Sequence, residues 1–322
     1  METGKAVKGV AIAGLLAIMF LLPLLGLGRL YIYVLSLIFI WSIVVSSLRL
    51  LMLAGLLAFS IVGFMEIGAY ATSLSMLKAG LPYWLGLLIG GVLGGIVALV
   101  IGKPILRLQS VYFFLVNLAF AEIISQVVIR WEKLTGGHGG IGGIKRPPGF
   151  ESDVAMYYLI LVFAVLILFV LYRLHIGRFS KILYGIRVAE PLEKSIGIDV
   201  AGYKLKCFVI ICVFSALAGG LYAPLVQFIN PASFSTGLMF YLIAYVVVGG
   251  QMIYAGPIVG TAVMRLLSTQ LTKGIVYEPI IFGAVLILFS LLAPEGIAGA
   301  GITLSRKLQL WGANGLRWVS RG

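Results

Sequence analysis

Long apolar runs alternate with short polar breaks along the whole chain, at about 9–27, 30–48, 50–77, 83–101, 111–129, 154–172, 207–229, 235–253, 255–272 and 279–293. At 1.5 Å per residue, most are long enough to cross a hydrocarbon core of roughly 30 Å as helices. Gly249, Gly250, Gly256 and Gly260 crowd the eighth and ninth runs. These two read either as full spans or as re-entrant pieces, so the pattern predicts about 8–10 transmembrane helices. One polar stretch, 173–206, interrupts the pattern. Within it Ile186, Val188, Leu192, Ile196 and Ile198 recur among charges at amphipathic-helix spacing. Pro191 suits the first turn of such a helix and Gly197 its stop.

Composition agrees with a lipid-embedded chain: 61% of the 322 residues are hydrophobic and only 11% are charged, against about a quarter charged in soluble domains. The expectation is an all-α polytopic membrane protein forming one domain over residues 1–322. The net charge of +13 is assigned to membrane edges and not to nucleic acid. Arg173, Arg178, Lys181, Arg187, Lys194, Lys204 and Lys206 place the 173–206 loop in the cytoplasm, and Arg306, Lys307, Arg317 and Arg321 place the tail 295–322 there too. An even number of crossings separates the two. Counting back puts Lys103, Arg107, Arg49 and the N-terminal Lys5 and Lys8 on the same side, so both termini read as cytoplasmic. The loop 131–153 then lies outside. Cys207 and Cys212, five apart in an apolar run, read as buried free thiols.

Candidate chemistry is sparse. No phosphate-binding G-x-x-x-x-G-K-[ST] loop occurs, His138 and His175 have no ligand-spaced companions, and no hydrolase motif appears. No cofactor or metal is expected, and the chain does not read as an enzyme. Two Gly-interrupted regions, "GFMEIGAYATSL" (63–74) and "VVVGGQMIYAGPIVGTAV" (246–263), occupy corresponding places in the two halves. They suggest inverted repeats with broken helices around a transport path. Close small-residue packing is the alternative.

The polar loop "RVAEPLEKSIGID" (187–199), with its E-x-x-x-x-x-x-G-I spacing, and the following "YKLKCFVIICVFSALAGGLYA" (203–223) resemble the LivM-type permeases of branched-chain amino-acid ABC transporters. "VYFFLVNLAFAEI" (111–123), "LTGGHGGIGGI" (134–144), "FINPASFS" (228–235) and the Gly-rich 247–263 continue the resemblance. Glu66 stands where the family usually has Gly, and Asn117 where it usually has Thr. Leu56, Ser60 and Ile61 replace a Gln, Gly and His, and the docking loop lacks its alanine pair.

The resemblance implies a permease subunit of an ATP-driven importer for branched-chain or related amino acids, in the cell membrane. Its partners would be a second related permease, two ATPase subunits and an extracytoplasmic substrate-binding protein. Urea or short amides as substrates, or a self-contained carrier or channel, are the alternatives. The implied docking residues are Glu190, Leu192, Glu193, Gly197 and Ile198. Gly136, Gly137 and Gly139 belong to an external loop that is either a contact surface, a gate or a tether. The substrate-path candidates are Glu66, Gly68, Tyr70, Asn117, Glu122, Gly249 and Gly256. For Glu122 a tie between spans competes with a contact to a substrate ammonium, and for Glu66 a packing role competes with lining the path. For Asn117 packing is preferred.

Overall fold

The computed structural model describes residues 19–25, 28–108, 110–271 and the isolated positions 283, 284, 287, 296 and 299. Most of the expected spans 9–27 and 279–293 and the basic tail lie outside the described residues. Within them the chain is helical: α1 (Arg29–Met52), α2 (Ile61–Leu77), α3 (Tyr83–Ile105), α4 (Ser110–Arg130), α5 (Asp153–Ile176), α6 (Arg178–Ser195), α7 (Val200–Val226), α8 (Thr236–Gly249) and α9 (Gly256–Leu271). The described sheet is a two-residue pair, β1 (Ile141–Gly142) with β2 (Phe228–Ile229), antiparallel with Ile141 opposite Ile229. Among the described residues, six helical segments are long and apolar enough to cross a membrane, and α2 is a shorter apolar helix. This is an all-α, multi-pass membrane architecture.

Helix α1 is the centre, with 94% of its apolar window buried, whereas α4 lies at the edge with 22% buried. α2, α3 and α7 form a tight trio because small residues let their backbones approach. A Cβ on Gly68 would overlap the Ala216 carbonyl, and one on Gly219 would overlap the Met65 carbonyl. Gly90 of α3 sits over the Gly68 carbonyl and Gly94 over Ala216. The second half echoes this. α3 packs on α2 and α7, while α9 packs on α8 and α1. Since α1 and α7 run in opposite senses, the triplets α1–α2–α3 and α7–α8–α9 are inverted copies in arrangement.

The sequence expectation for the breaks is corrected. Residues 63–74 are uninterrupted helix inside α2; their glycines serve close packing. The interruption lies upstream, at 53–60, and its counterpart after α7 is 227–235. Region 246–263 holds the end of α8, the turn 250–255 and the start of α9, where Gly249 meets Gly256 and Gly260 meets the Tyr245 carbonyl.

The contacts sort the molecule into two ends. At one, Asp153 pairs with Arg146 at 2.7 Å and Arg29 at 3.8 Å, Lys78 donates to the Lys133 carbonyl at 2.6 Å, and β1 meets β2. At the other, Arg49 donates through Nε to the Gln251 carbonyl at 2.7 Å and through a terminal nitrogen to that of Met252 at 3.0 Å. Arg187 donates to the Met52 carbonyl at 3.4 Å, and Gly102 packs on Leu205 and Phe208. The loop 131–153 and the helix α6 therefore occupy opposite ends. Cys207 and Cys212 are buried free thiols on α7.

Candidate functional site

The segment after α7 builds a cavity. Gln227 ends the helix with φ of 62°, β2 follows, and Asn230 caps a 3-10 turn (Pro231–Phe234) by accepting from the Ser233 amide at 2.9 Å and its hydroxyl at 2.7 Å. Extended Ser235 then starts α8. Between this corner, the start of α2 and the second half of α4 lies a cavity of about 240 Å³. Phe59, Val62, Leu118, Phe234 and Met239 line it with apolar surface, and Glu122, Ser125, Gln126, Ser235 and Thr236 with polar groups. The Thr236 hydroxyl donates to the Glu122 carboxylate.

His138 of the glycine-rich loop also lines the cavity, so this loop is its roof. Gly136, Gly137 and Gly140 take φ of 75°, 58° and 73°, a region open to glycine at little cost. A Cβ at Gly140 would overlap the Ile229 carbonyl. The loop is thus packed against β2 and is not a free tether. Gly139 has open space around it and an ordinary φ, so nothing in the structure requires glycine there.

Of the seven sequence-predicted path residues, Glu122 lines this cavity. The others sit elsewhere. Asn117 is a tie: it accepts from the Ser60 hydroxyl at 2.5 Å and donates to the Phe113 carbonyl at 2.7 Å, joining α4 to the start of α2. Gly68 is a helix-packing glycine, and Gly249 and Gly256 meet in the α8–α9 turn. Glu66 and Tyr70, one turn apart on α2, are buried, and neither the Glu66 carboxylate nor the Tyr70 hydroxyl has a hydrogen-bond partner among the described residues. Sequence reasoning missed Ser235 and Thr236. It also missed the inward role of Arg49, which is 2% exposed and packs beside the Tyr254 ring, 5.9 Å from its centroid. A charge at the end of an apolar run carries no signal that it points inward.

The polar helix α6 is two helices joined at Ala189, whose φ of −152° and ψ of 75° are not helical. Pro191 lies in the first turn of the second piece, as the sequence predicts. That piece ends in Gly197 with φ of 85°. The Gly197 amide donates to the Lys194 carbonyl at 3.1 Å and the Ile198 amide to that of Glu193 at 3.1 Å, the paired bonds of a Schellman stop. Asp199 then caps α7, accepting from the Gly202 amide at 3.0 Å. Glu190 is bound within the chain, to Lys204 at 2.7 Å and Lys194 at 2.9 Å. The Lys204 ammonium holds the Glu190 carboxyl below the usual range against an opposing effect of burial, and Lys194 adds to the lowering. Glu193 folds back over Gly185. Three apolar side chains are exposed here: Val188 before the kink, Leu192 after it and Ile196 at the C-cap, 68%, 61% and 67% exposed, beside exposed Lys181 and Lys194.

A buried membrane bundle, a polar helix with an apolar outer stripe at one end and a roofed cavity at the other suggest a transport component. The model of a family described as the permease component of branched-chain amino acid transport systems matches residues 30–290. The chain belongs to this family. It is 29% identical to the high-affinity branched-chain amino acid transport system permease protein LivM of Escherichia coli, over 76% of this chain and 64% of that protein, and equally so to the Salmonella typhimurium protein of the same name. A probable branched-chain amino acid transport permease protein LivM from Methanocaldococcus jannaschii is 25% identical over 66% of this chain and 67% of its own length. The chain thus spans somewhat less than two thirds of the two bacterial relatives. No solved structure matches it significantly. Membership, with the six apolar helical segments, makes the chain a multi-pass membrane protein of a permease family.

Proposed function

We propose that this chain is the membrane-spanning subunit of an importer for branched-chain or related amino acids, powered by separate ATPase subunits. The observation that carries the reading is the outward stripe Val188, Leu192 and Ile196 on α6. Apolar side chains this exposed, on a helix whose two acids are engaged by its own chain, suit a protein cleft. The kink at Ala189, the Schellman stop and the Asp199 cap hold the stripe rigidly to α7. Arg187 joins the same helix to the end of α1. Movement of an ATPase dimer on ATP binding would therefore reach α1 and α7 directly, shifting the permease pair between inward and outward packings.

In this reading the α6 end, with Arg49, Lys103, Arg107 and Arg173, faces the cytoplasm. The cavity faces outside, toward a binding protein that delivers substrate. A second related permease completes the path. Glu122 is its outer contact, and Glu66 with Tyr70 its buried polar step. The test is uptake of labelled leucine into proteoliposomes. The full set of two permeases, two ATPases and binding protein should import it with ATP. This chain alone should not, and uptake by it alone would favour a self-contained carrier.

A further inference from the structure

Two observations about the roofed cavity are not absorbed by the docking account. First, its lining is of mixed chemistry: Glu122, Ser125, Gln126, Ser235 and Thr236 bring polar groups, and Phe59, Val62, Leu118, Phe234 and Met239 bring apolar surface, so that α4 and α8 each contribute both kinds. Second, Glu122 is placed where a carboxylate needs a reason. α4 has 21 residues, and Glu122 lies about 12 Å from its Arg130 end at 1.5 Å per residue. Its side is exposed rather than packed. The outward faces of α3 and α5 between their ends are apolar, carried by Leu88, Val92, Ile96, Val162, Leu166 and Phe169. A charge at such depth belongs against water, a partner or a ligand, and not hydrocarbon.

We propose that this cavity binds an α-amino acid with a branched aliphatic side chain, its ammonium on Glu122 and its side chain against Leu118, Val62 and Met239. The proposal rests on the importer reading and assigns it a binding site on this subunit. The Thr236 hydroxyl engages one carboxylate oxygen, Oε1, and orients the group. A carboxylate accepts several hydrogen bonds, so capacity remains for an ammonium. Gln126 of α4 and Ser235 at the start of α8 also line the cavity and supply donors to the ligand carboxylate. A volume of about 240 Å³ admits one small amino acid and not a peptide. An open groove along α4, reaching Arg130 and Trp131, shares Glu122 and Gln126 with the cavity. Arg130 there attracts the ligand carboxylate before the ammonium meets Glu122. His138 places the glycine-rich loop over the occupied site.

The experiment uses the assembled complex without binding protein, titrated with tritiated leucine, alongside ATP-driven uptake by the same preparation in proteoliposomes. Saturable binding is expected. Glu122→Gln should weaken it about tenfold or more, the scale of a lost charge-assisted bond. Leu118→Trp, which fills the cavity, should remove it. Isovalerate, which has the side chain and carboxylate but no ammonium, should not compete. Should Leu118→Trp fail to assemble, Gln126→Leu at an exposed position should still weaken binding. A parent complex that imports leucine but binds none, or binds it equally well in both the Glu122 and the cavity-filling variant, overturns the site and leaves the importer reading standing. A complex that neither binds nor imports any amino acid overturns both.

Discussion

Arg49 is buried, and its guanidinium caps two carbonyls at the α8–α9 turn. Hydrogen bonds to a charged group contribute about 1.5–3 kcal/mol each. Arg49→Ala should therefore lower thermal stability in detergent clearly and open the 250–255 turn to protease, while Arg49→Lys, which cannot fork to both carbonyls, should restore only part. The glycines separate just as sharply. Gly68→Ala places a methyl on the Ala216 carbonyl, a backbone atom that cannot rotate away. Overpacking of this kind costs about 1–3 kcal/mol or more. Gly139→Ala meets open space and should be neutral; melting curves of the two variants make the comparison.

Glu190 gives a pH prediction. Its carboxyl is held below the usual range in the folded protein by Lys204 first and Lys194 second. A carboxylate shifted this way adds stability above its unfolded pKa of roughly 4.3 and loses it as the pH falls through the lower folded value. The group is partly exposed, so the gain is at most about 1 kcal/mol. Glu190→Gln should melt slightly below the parent at neutral pH, with the gap closing as the pH drops below that of ordinary carboxylates. A gap that grows on acidification contradicts this bridge.

The elements show what a sequence can and cannot carry. The stop of α6 at Gly197 was legible because only a left-handed residue closes that turn without strain, and Pro191 marked a first turn because its ring forbids the helix interior. The kink at Ala189 was not legible, because nothing in alanine demands it; the packing of Arg187 on Gly55 and Glu193 on Gly185 accompanies it. The family resemblance pointed to Glu190 and Glu193 as docking residues; that Glu190 pairs with Lys204 of α7, and that Glu193 folds over Gly185 across the kink, is visible only in the fold. The glycines at 63–74 suggested a break because glycine has the same sequence signature in a break and in a close helix crossing. Only the neighbour, Ala216, distinguishes the two. Sidedness was read from lysine and arginine alone, and labelling is what tests it. Cysteine placed at Lys194 should react with an impermeant thiol reagent only from the cytoplasm, and cysteine at His138 only from outside. The native Cys207 and Cys212 are fully buried and should contribute little background.

At the scale of the whole molecule, a cavity at one end and an apolar stripe at the other are joined by α1, α2 and α7, of which α2 and α7 pack so closely that side chains barely separate their backbones. Such a bundle passes rigid-body motion between its ends, because packed interfaces shift between discrete arrangements rather than deform smoothly. The central claim is that this motion enters through α6. Leu192, 61% exposed and without a structural role of its own, is the place to test it. The measurement is ATP-driven leucine uptake by the reconstituted complex carrying Leu192→Asp, with assembly of the permease pair checked in the same sample. A charge buried in a protein cleft costs several kcal/mol, so the ATPase should dissociate and uptake should fall by tenfold or more, the effect of only about 1.4 kcal/mol. Uptake equal to the parent, with the permease pair intact, would contradict docking through this helix.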